Sequence, residues 1–73
     1  MKRYGVVIEK TTDGYGAYVP DLPGCVAVGD TYEETERLIR EAIPFHLEGL
    51  MRNGDPIPEA TTRLEFVEAE VPA

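Results

Sequence analysis

The 73-residue sequence contains no tryptophan, a single cysteine and only seven lysines and arginines. One cysteine cannot form an internal disulfide, so a reducing cytoplasm is the expected location. No apolar run approaches the roughly 20 residues that a membrane span needs, and the first residues lack the apolar core of a signal peptide. We therefore expect one cytoplasmic domain over residues 1–73, with no membrane association.

The charge balance is strongly acidic, with 14 Asp and Glu against 7 Lys and Arg and a net charge of −7. Nucleic-acid binding rests on the neutralisation of phosphates by lysine and arginine, so this balance argues against direct binding of DNA or RNA. The same charge favours a basic protein as partner, because complementary fields speed association. Solubility of a small domain is the simpler explanation, and composition leaves both open.

Three short segments have the β-branched and aromatic residues typical of strands: residues 4–9, 15–19 and 25–28. Asp13-Gly14 between the first two predicts a hairpin. Pro23-Gly24 before the third predicts a type II turn, because glycine accepts the positive φ that this turn requires. Connections this short favour an antiparallel meander.

A long amphipathic helix follows, from Tyr32 to Arg52. Thr31 and Glu34 have the spacing of a capping box, apolar residues recur at helical spacing, and Gly54 supplies a left-handed stop. Pro44 lies inside this pattern, where it removes one backbone hydrogen bond. We expect the helix to kink there, with two shorter helices as the alternative.

The segment Leu64–Val71 alternates imperfectly between apolar residues and glutamates, which predicts a fourth strand with a bulge near Phe66–Val67. The fold class is therefore α+β, with the order β-β-β-α-β in two layers. We expect one mostly antiparallel, mixed sheet in the order 3-2-1-4, covered on one face by the long helix. The other face is left uncovered, so we expect a dimer or higher oligomer, or a bound protein.

Few residues have the chemistry of a catalytic site. Cys25 and His46 suggest a nucleophile and its base, but Cys25 begins a half-buried strand and no carboxylate is in place to orient His46. No cysteine and histidine cluster has the spacing of zinc ligands, and the acids fall mostly on the outer helix face or in turns. We expect no enzyme activity, no cofactor and no metal site. A vestigial metal-dependent nuclease that uses Asp21 or Asp30 is the alternative.

Two motifs carry a resemblance to a known family: Tyr18–Cys25, which reads YVPDLPGC, and Gly29–Glu34. Both precede a helix that ends at Gly54. Together they resemble the HicB-type antitoxin domain over residues 4–58 and, loosely, the last strand. The resemblance implies a partial RNase H-like fold that lacks the nuclease carboxylates of that fold.

The resemblance also implies the antitoxin of a type II toxin–antitoxin system, which covers the active surface of a HicA-like toxin, a small basic ribonuclease that cleaves mRNA. The candidate contact residues are Asp21 and Leu22 in the motif turn and the helix acids Glu33, Glu36 and Glu41. Many HicB-like antitoxins carry a further DNA-binding segment that this sequence does not show, so we expect no operator binding by this chain alone. An orphan homo-oligomeric scaffold without a toxin is the alternative.

Overall fold

A computed structural model describes residues 1–72. Its elements in chain order are β1 (Val7–Lys10), β2 (Tyr15–Tyr18), β3 (Val26–Gly29) and α1 (Tyr32–Arg52). The three strands form one antiparallel sheet in the order β1-β2-β3, and α1 packs on one face of it. The α+β class, the two layers and the order of the first three strands are confirmed.

The two turns that join the strands follow the chemistry of their residues. In the β1–β2 hairpin, Thr11 N–H donates to Gly14 O at 2.8 Å, and Gly14 N–H donates to Thr11 Oγ1 at 3.1 Å. Before β3, Cys25 N–H donates to Leu22 O at 3.0 Å, and Gly24 has a φ of 86°. A type II turn needs this positive φ at its third position. Both predicted turns are confirmed.

Helix α1 runs without interruption through Pro44, so the alternative of two shorter helices is wrong. Its N-cap is Thr31, whose Oγ1 accepts from Glu34 N–H at 3.1 Å. The chain turns away after the helix at Gly54, which has a φ of 75°. Across residues 1–72 no helix, α1 included, combines the length and the apolar character needed to cross a bilayer.

The core lies between α1 and the sheet and is small. Its buried apolar residues are Ala17, Val19, Leu22, Cys25 and Ile39. Thr35 is also buried, and its hydroxyl donates to Thr31 O at 2.8 Å, so its polar group is satisfied. Leu22 and Ile39 are each 1% exposed and belong to one cluster, so the motif turn is part of the core.

The predicted fourth strand over Leu64–Val71 is not formed. Residues 55–72 have no regular secondary structure, and no backbone hydrogen bond within the described chain joins them to β1. Leu64 and Phe66 nevertheless border a groove with Val6 and Ile8, which is the side of β1 that the order 3-2-1-4 assigns to this segment. Leu64 and Phe66 would share one strand face with glutamates, so every register buries charge or exposes apolar surface. The sheet is antiparallel rather than mixed.

Asp21 holds this C-terminal segment, residues 55–72, which we call the arm; residues 1–54 are the body. The Asp21 carboxylate accepts hydrogen bonds from Thr62 N–H at 2.9 Å, Thr62 Oγ1 at 2.8 Å and Thr61 Oγ1 at 3.2 Å. These bonds, the one from the Thr62 backbone first, lower the pKa of Asp21 below its ordinary 3.8. The motif turn therefore anchors the arm as well as closing the core.

The arm stays next to the body as far as Phe66 and then leaves it. Tyr4 Oη donates to Pro58 O at 2.7 Å and Lys2 pairs with Glu59 at 3.1 Å, but every residue from 63 to 72 is exposed. The longest dimension of the molecule is 54 Å. Its radius of gyration is 14.6 Å, against the roughly 11 Å expected of a compact chain of this length. The shape is that of a small body with a projecting arm.

The β1–β2 hairpin approaches β3 closely at Gly14, and a substitution of this glycine tests that approach. A Cβ at Gly14 would overlap Gly29 O, so the backbone must shift. We expect Gly14→Ala to lower the free energy of unfolding by about 1–3 kcal/mol, measured by urea denaturation. Gly49→Ala is the matched control, because nothing lies within 4 Å of its Cβ, and it should raise stability by up to about 1 kcal/mol. A Gly14→Ala chain as stable as the wild type would contradict the close approach.

Asp21→Asn tests the anchor of the arm. We expect this variant to weaken the hold on Thr62, because asparagine lacks the charge and has one carbonyl oxygen where aspartate has two acceptors. The measurement is hydrogen exchange of the Thr62 amide, which should become faster. Asp13→Asn is the control, since no side-chain hydrogen bond of Asp13 occurs within residues 1–72, and it should leave this exchange unchanged.

The same anchor has a predictable pH dependence. The pKa of Asp21 is lower in the folded chain than its ordinary 3.8, so its contribution is complete above about pH 4 and is lost as the pH falls through the lowered pKa. The Thr62 amide chemical shift, followed by NMR, should report this acid transition in the wild type. A transition that persists in Asp21→Asn would assign it to another group.

Candidate partner-binding surface

The outer face of α1 presents the three glutamates that the sequence analysis singles out. Glu33 lies in the first turn and forms no ion pair within residues 1–72. Glu36 pairs with Arg40 at 3.6 Å and Glu41 pairs with Arg37 at 3.4 Å, both across one helical turn. Glu33 lies between the other two around the helix, Glu36 and Glu41 are about 140° apart at 3.6 residues per turn, and each of these two is paired with an arginine.

These ion pairs leave the carboxylates available to a partner. The side chains of Arg37 and Glu41 are 60% and 64% exposed, and exposed pairs at this spacing contribute about 0.3–0.5 kcal/mol. A lysine or arginine from another protein can replace the helix arginine at little cost. The Glu36 side chain, 42% exposed, is the most sheltered acid of these pairs.

The other two predicted contact residues have structural roles. Leu22 is 1% exposed and lies in the core, so a direct contact with a partner does not fit its position. The turn folds over the helix and carries Leu22 inward. Asp21 stays at the surface, but its carboxylate is engaged with Thr61 and Thr62 of the arm.

Most of the net negative charge lies in residues 53–73, and none of these residues is among the contact residues predicted from the sequence. Helix α1 contains five glutamates and three arginines, a net −2, whereas residues 53–73 contain five acids and one arginine, a net −4. Glu65, Glu68 and Glu70 are exposed and form no ion pair in the described part of the chain. The sequence signal for these carboxylates is the alternation of glutamate and apolar residues over Leu64–Val71, which predicts a strand and not a charged arm.

The face of the sheet turned away from α1 carries apolar side chains. The register places Tyr18 between Val7 on β1 and Val26 on β3. Val26 is 62% exposed and Val28 is 75% exposed, while Ala27 between them packs against the core. An uncovered apolar face, as the sequence predicts, is therefore present and is a surface that a protein can bury.

Cys25 and His46 border one groove between β3 and the second half of α1, with a volume of about 430 Å³. Cys25 is 3% exposed, and burial raises the pKa of its thiol. A reactive cysteine needs the opposite shift, because the thiolate is the nucleophile. Cys25 therefore serves as a small apolar core residue.

Carboxylates do not converge as a nuclease centre requires. Within residues 1–72, no three His, Cys, Asp or Glu side chains come close enough to hold a metal ion together. Asp21, a candidate for that role, gives its carboxylate to the arm. The surface thus offers exposed carboxylates and exposed apolar side chains, which are the means of binding another protein.

Known proteins share this sequence pattern. A family model described as the HicB_like antitoxin of bacterial toxin-antitoxin system matches residues 4–71. An uncharacterized 14.9 kDa protein from the rep-hol intergenic region of Haemophilus phage HP1 is 39% identical over 64 residues, which are 88% of this chain and 48% of the relative. A UPF0150 protein of Synechocystis is 44% identical over 57 residues, which are 77% of this chain and 72% of the relative.

A solved structure described as the HicA3 and HicB3 toxin-antitoxin complex contains a chain with a similar fold. The TM-score is 0.66 at 38% identity, over 75% of this chain and 64% of that chain. The present chain thus spans about half the length of the phage relative and 64% of the solved chain. Because the family model extends from residue 4 to residue 71, the chain belongs to the HicB-like antitoxins of bacterial toxin–antitoxin systems.

Proposed function

We propose that this chain is the antitoxin of a type II toxin–antitoxin pair, which binds a small basic HicA-like toxin in the cytoplasm and covers the surface with which that toxin cleaves mRNA. The observation that carries the proposal is the likeness to a chain of the HicA3 and HicB3 complex, at 38% identity and a TM-score of 0.66. Membership of the HicB-like family supports it. In this role the chain is not an enzyme and uses no cofactor.

A net charge of −7 suits the inhibition of an RNA-binding protein. A toxin that holds RNA must offer lysines and arginines to the phosphates, and carboxylates that occupy the same cations exclude RNA by competition. Complementary charge also speeds the encounter of the two proteins and disfavours wrong partners. The acidic surface itself repels nucleic acid, so the inhibition acts through the toxin and not through its substrate.

We assign the charged contact to the outer face of α1, with Glu33, Glu36 and Glu41. These residues span about 12 Å along the helix axis, at 1.5 Å per residue. A rigid helix holds them at fixed spacing, so little conformational entropy is lost when a partner binds. Asp21 takes part indirectly, by fixing the arm to the body.

The open sheet face favours a second candidate, an orphan homo-oligomeric scaffold without a toxin. Val26 and Val28 are largely exposed, and their burial against a second copy would stabilise a small domain without any other protein. The two functions differ in one property. A scaffold self-associates but neither binds nor inhibits a basic ribonuclease.

Co-expression with the small basic protein encoded beside this chain tests the antitoxin function. We expect the HicA-like protein to remain bound to the tagged chain through affinity purification. Equimolar purified chain should also block the cleavage of RNA by that protein, because RNA and the acidic chain compete for the same cations. Binding without inhibition would contradict the covering of the active surface. A folded chain that shows neither favours the scaffold.

A charge-removal variant tests the assignment to α1. Replacing Glu33, Glu36 and Glu41 together by glutamine keeps the size of the side chains and removes three negative charges. We expect the association rate constant with the toxin to fall roughly tenfold at low salt, and its salt dependence to weaken. Stopped-flow fluorescence over a series of salt concentrations measures both.

The control removes the same charge from other parts of the surface. It combines Glu9→Gln, Asp13→Asn and Asp55→Asn, which lie before and after the helix. This variant should associate more rapidly than the helix variant. Equal slowing of the two would show that net charge alone steers the encounter, and the assignment to the helix face would be wrong.

A further inference from the structure

A groove runs between β1 and α1 on the side of the sheet that the helix covers, with a volume of about 460 Å³. We call its apolar lining residues, Val6, Ile8, Ile39 and Ile43, the groove floor; Ile39 itself is buried, and the other three are half-buried. Arg3 from the N-terminal segment and Arg40 from α1 also line it, together with the acidic Glu36. The groove lining therefore carries a net charge of +1 in a chain whose net charge is −7.

The outer arm, residues 67–71, has the complementary chemistry. In an extended chain, successive side chains point to opposite sides, so Val67 and Val71 share one side and Glu68 and Glu70 share the other. Val67 is 83% exposed and Val71 is 90% exposed, so neither is buried by its own chain. One side of the outer arm can cover an apolar floor while the other offers two carboxylates to arginines.

The outer arm is not placed to enter the groove of its own chain. The inner arm, residues 55–66, runs in the same direction as the segment that leads into β1, since Tyr4 Oη donates to Pro58 O and Gly5 lies next to Leu64. The outer arm continues away from the body, where its side chains are exposed. To fold back it would need a tight turn, and residues 64–71 contain no glycine, proline, asparagine or aspartate. The arm of a second molecule can fill the groove without such a turn.

We propose that the outer arm of a second copy of this chain occupies the groove, so that two copies exchange arms in a symmetric dimer. The apolar side of the outer arm lies on the groove floor. Glu68 and Glu70 pair with Arg3 and Arg40 of the other copy. A symmetric exchange makes both contacts twice, which suits a two-fold dimer.

The dimensions of the two elements agree. The groove follows α1 from Tyr32 to Ile43, which is about 16 Å at the helical rise. Five extended residues of the outer arm span about 16 Å. Tyr32 also borders the site where Phe66 leaves β1, so each arm departs beside the groove of its own chain. A two-fold axis near Tyr32 brings each outer arm to the groove of its partner.

Sedimentation equilibrium with charge-reversed full-length chains tests the exchange. The arm variant carries Glu68→Arg and Glu70→Arg, and the groove variant carries Arg3→Glu and Arg40→Glu. The wild type should be a dimer, and each variant alone should associate at least about tenfold more weakly, because like charges then face each other. An equimolar mixture of the two variants should restore dimers. In the mixed dimer the reversed arm of one chain meets the reversed groove of the other, and the unchanged arm meets the unchanged groove.

Three outcomes would overturn the proposal: a wild type that stays monomeric, variants as dimeric as the wild type, or a mixture that stays monomeric. Val67→Asp with Val71→Asp should also dissociate the dimer, and both positions lie outside the body, whose folding far-UV circular dichroism reports. The control variant Glu9→Lys with Asp13→Lys reverses two charges elsewhere and should remain dimeric. Its dissociation would show that the association is not specific to the groove, and the proposal would fail.

Discussion

A single helix covers only one face of a three-stranded sheet, and this constraint leaves the other face of the sheet and the arm exposed. Leu22 and Ile39 close the covered face at 1% exposure each, while Val26 and Val28 on the open face stay in water. A chain of this length buries only about 60% of the surface that the unfolded chain exposes. The open face and the arm are therefore the part of the apolar surface that this body is too small to enclose, and they are available to other proteins.

The features that the sequence predicted correctly are local. The hairpin turn at Asp13-Gly14, the positive φ at Gly24 and the N-cap at Thr31 each depend on residues within about four positions, and the apolar stripe sets the length of α1. The fourth strand depends instead on pairing with β1, more than 50 residues away in sequence. Its alternation changes phase where Phe66 and Val67 are both apolar, so the pattern alone could not tell a paired strand from a free arm.

The candidate site likewise has some features that follow from the local sequence and others that depend on the tertiary fold. Helical spacing alone places Glu33 and Glu41 on the exposed face, because the period of a helix is independent of tertiary contacts, whereas Glu36 is half-buried and lines the groove with Ile39 and Ile43. The burial of Leu22 does not follow from the sequence, because a turn of Asp, Leu, Pro and Gly is typical of a surface, whereas in the structure Leu22 packs in the core cluster with Ile39 of α1. Composition gave the net charge but not its distribution, and the engagement of Asp21 by the arm required the tertiary fold.

The proposed toxin contact and the proposed arm exchange both involve the ion pair between Glu36 and Arg40. Glu36 and Arg40, 3.6 Å apart, both line the groove, and Glu36 is also one of the acids assigned to the proposed toxin contact. A toxin lysine that pairs with Glu36 releases Arg40 for the glutamates of an arriving arm, and a docked arm that pairs with Arg40 releases Glu36 for the toxin. The two binding events therefore favour each other, and by linkage the effect is equal in both directions. The coupling free energy cannot exceed the free energy of the Glu36–Arg40 ion pair, which either binding event alone would have to break. That free energy is about 0.3–0.5 kcal/mol, or roughly a factor of two in affinity. In this scheme the proposed arm exchange and the proposed toxin contact share one ion pair at the groove and are otherwise nearly independent.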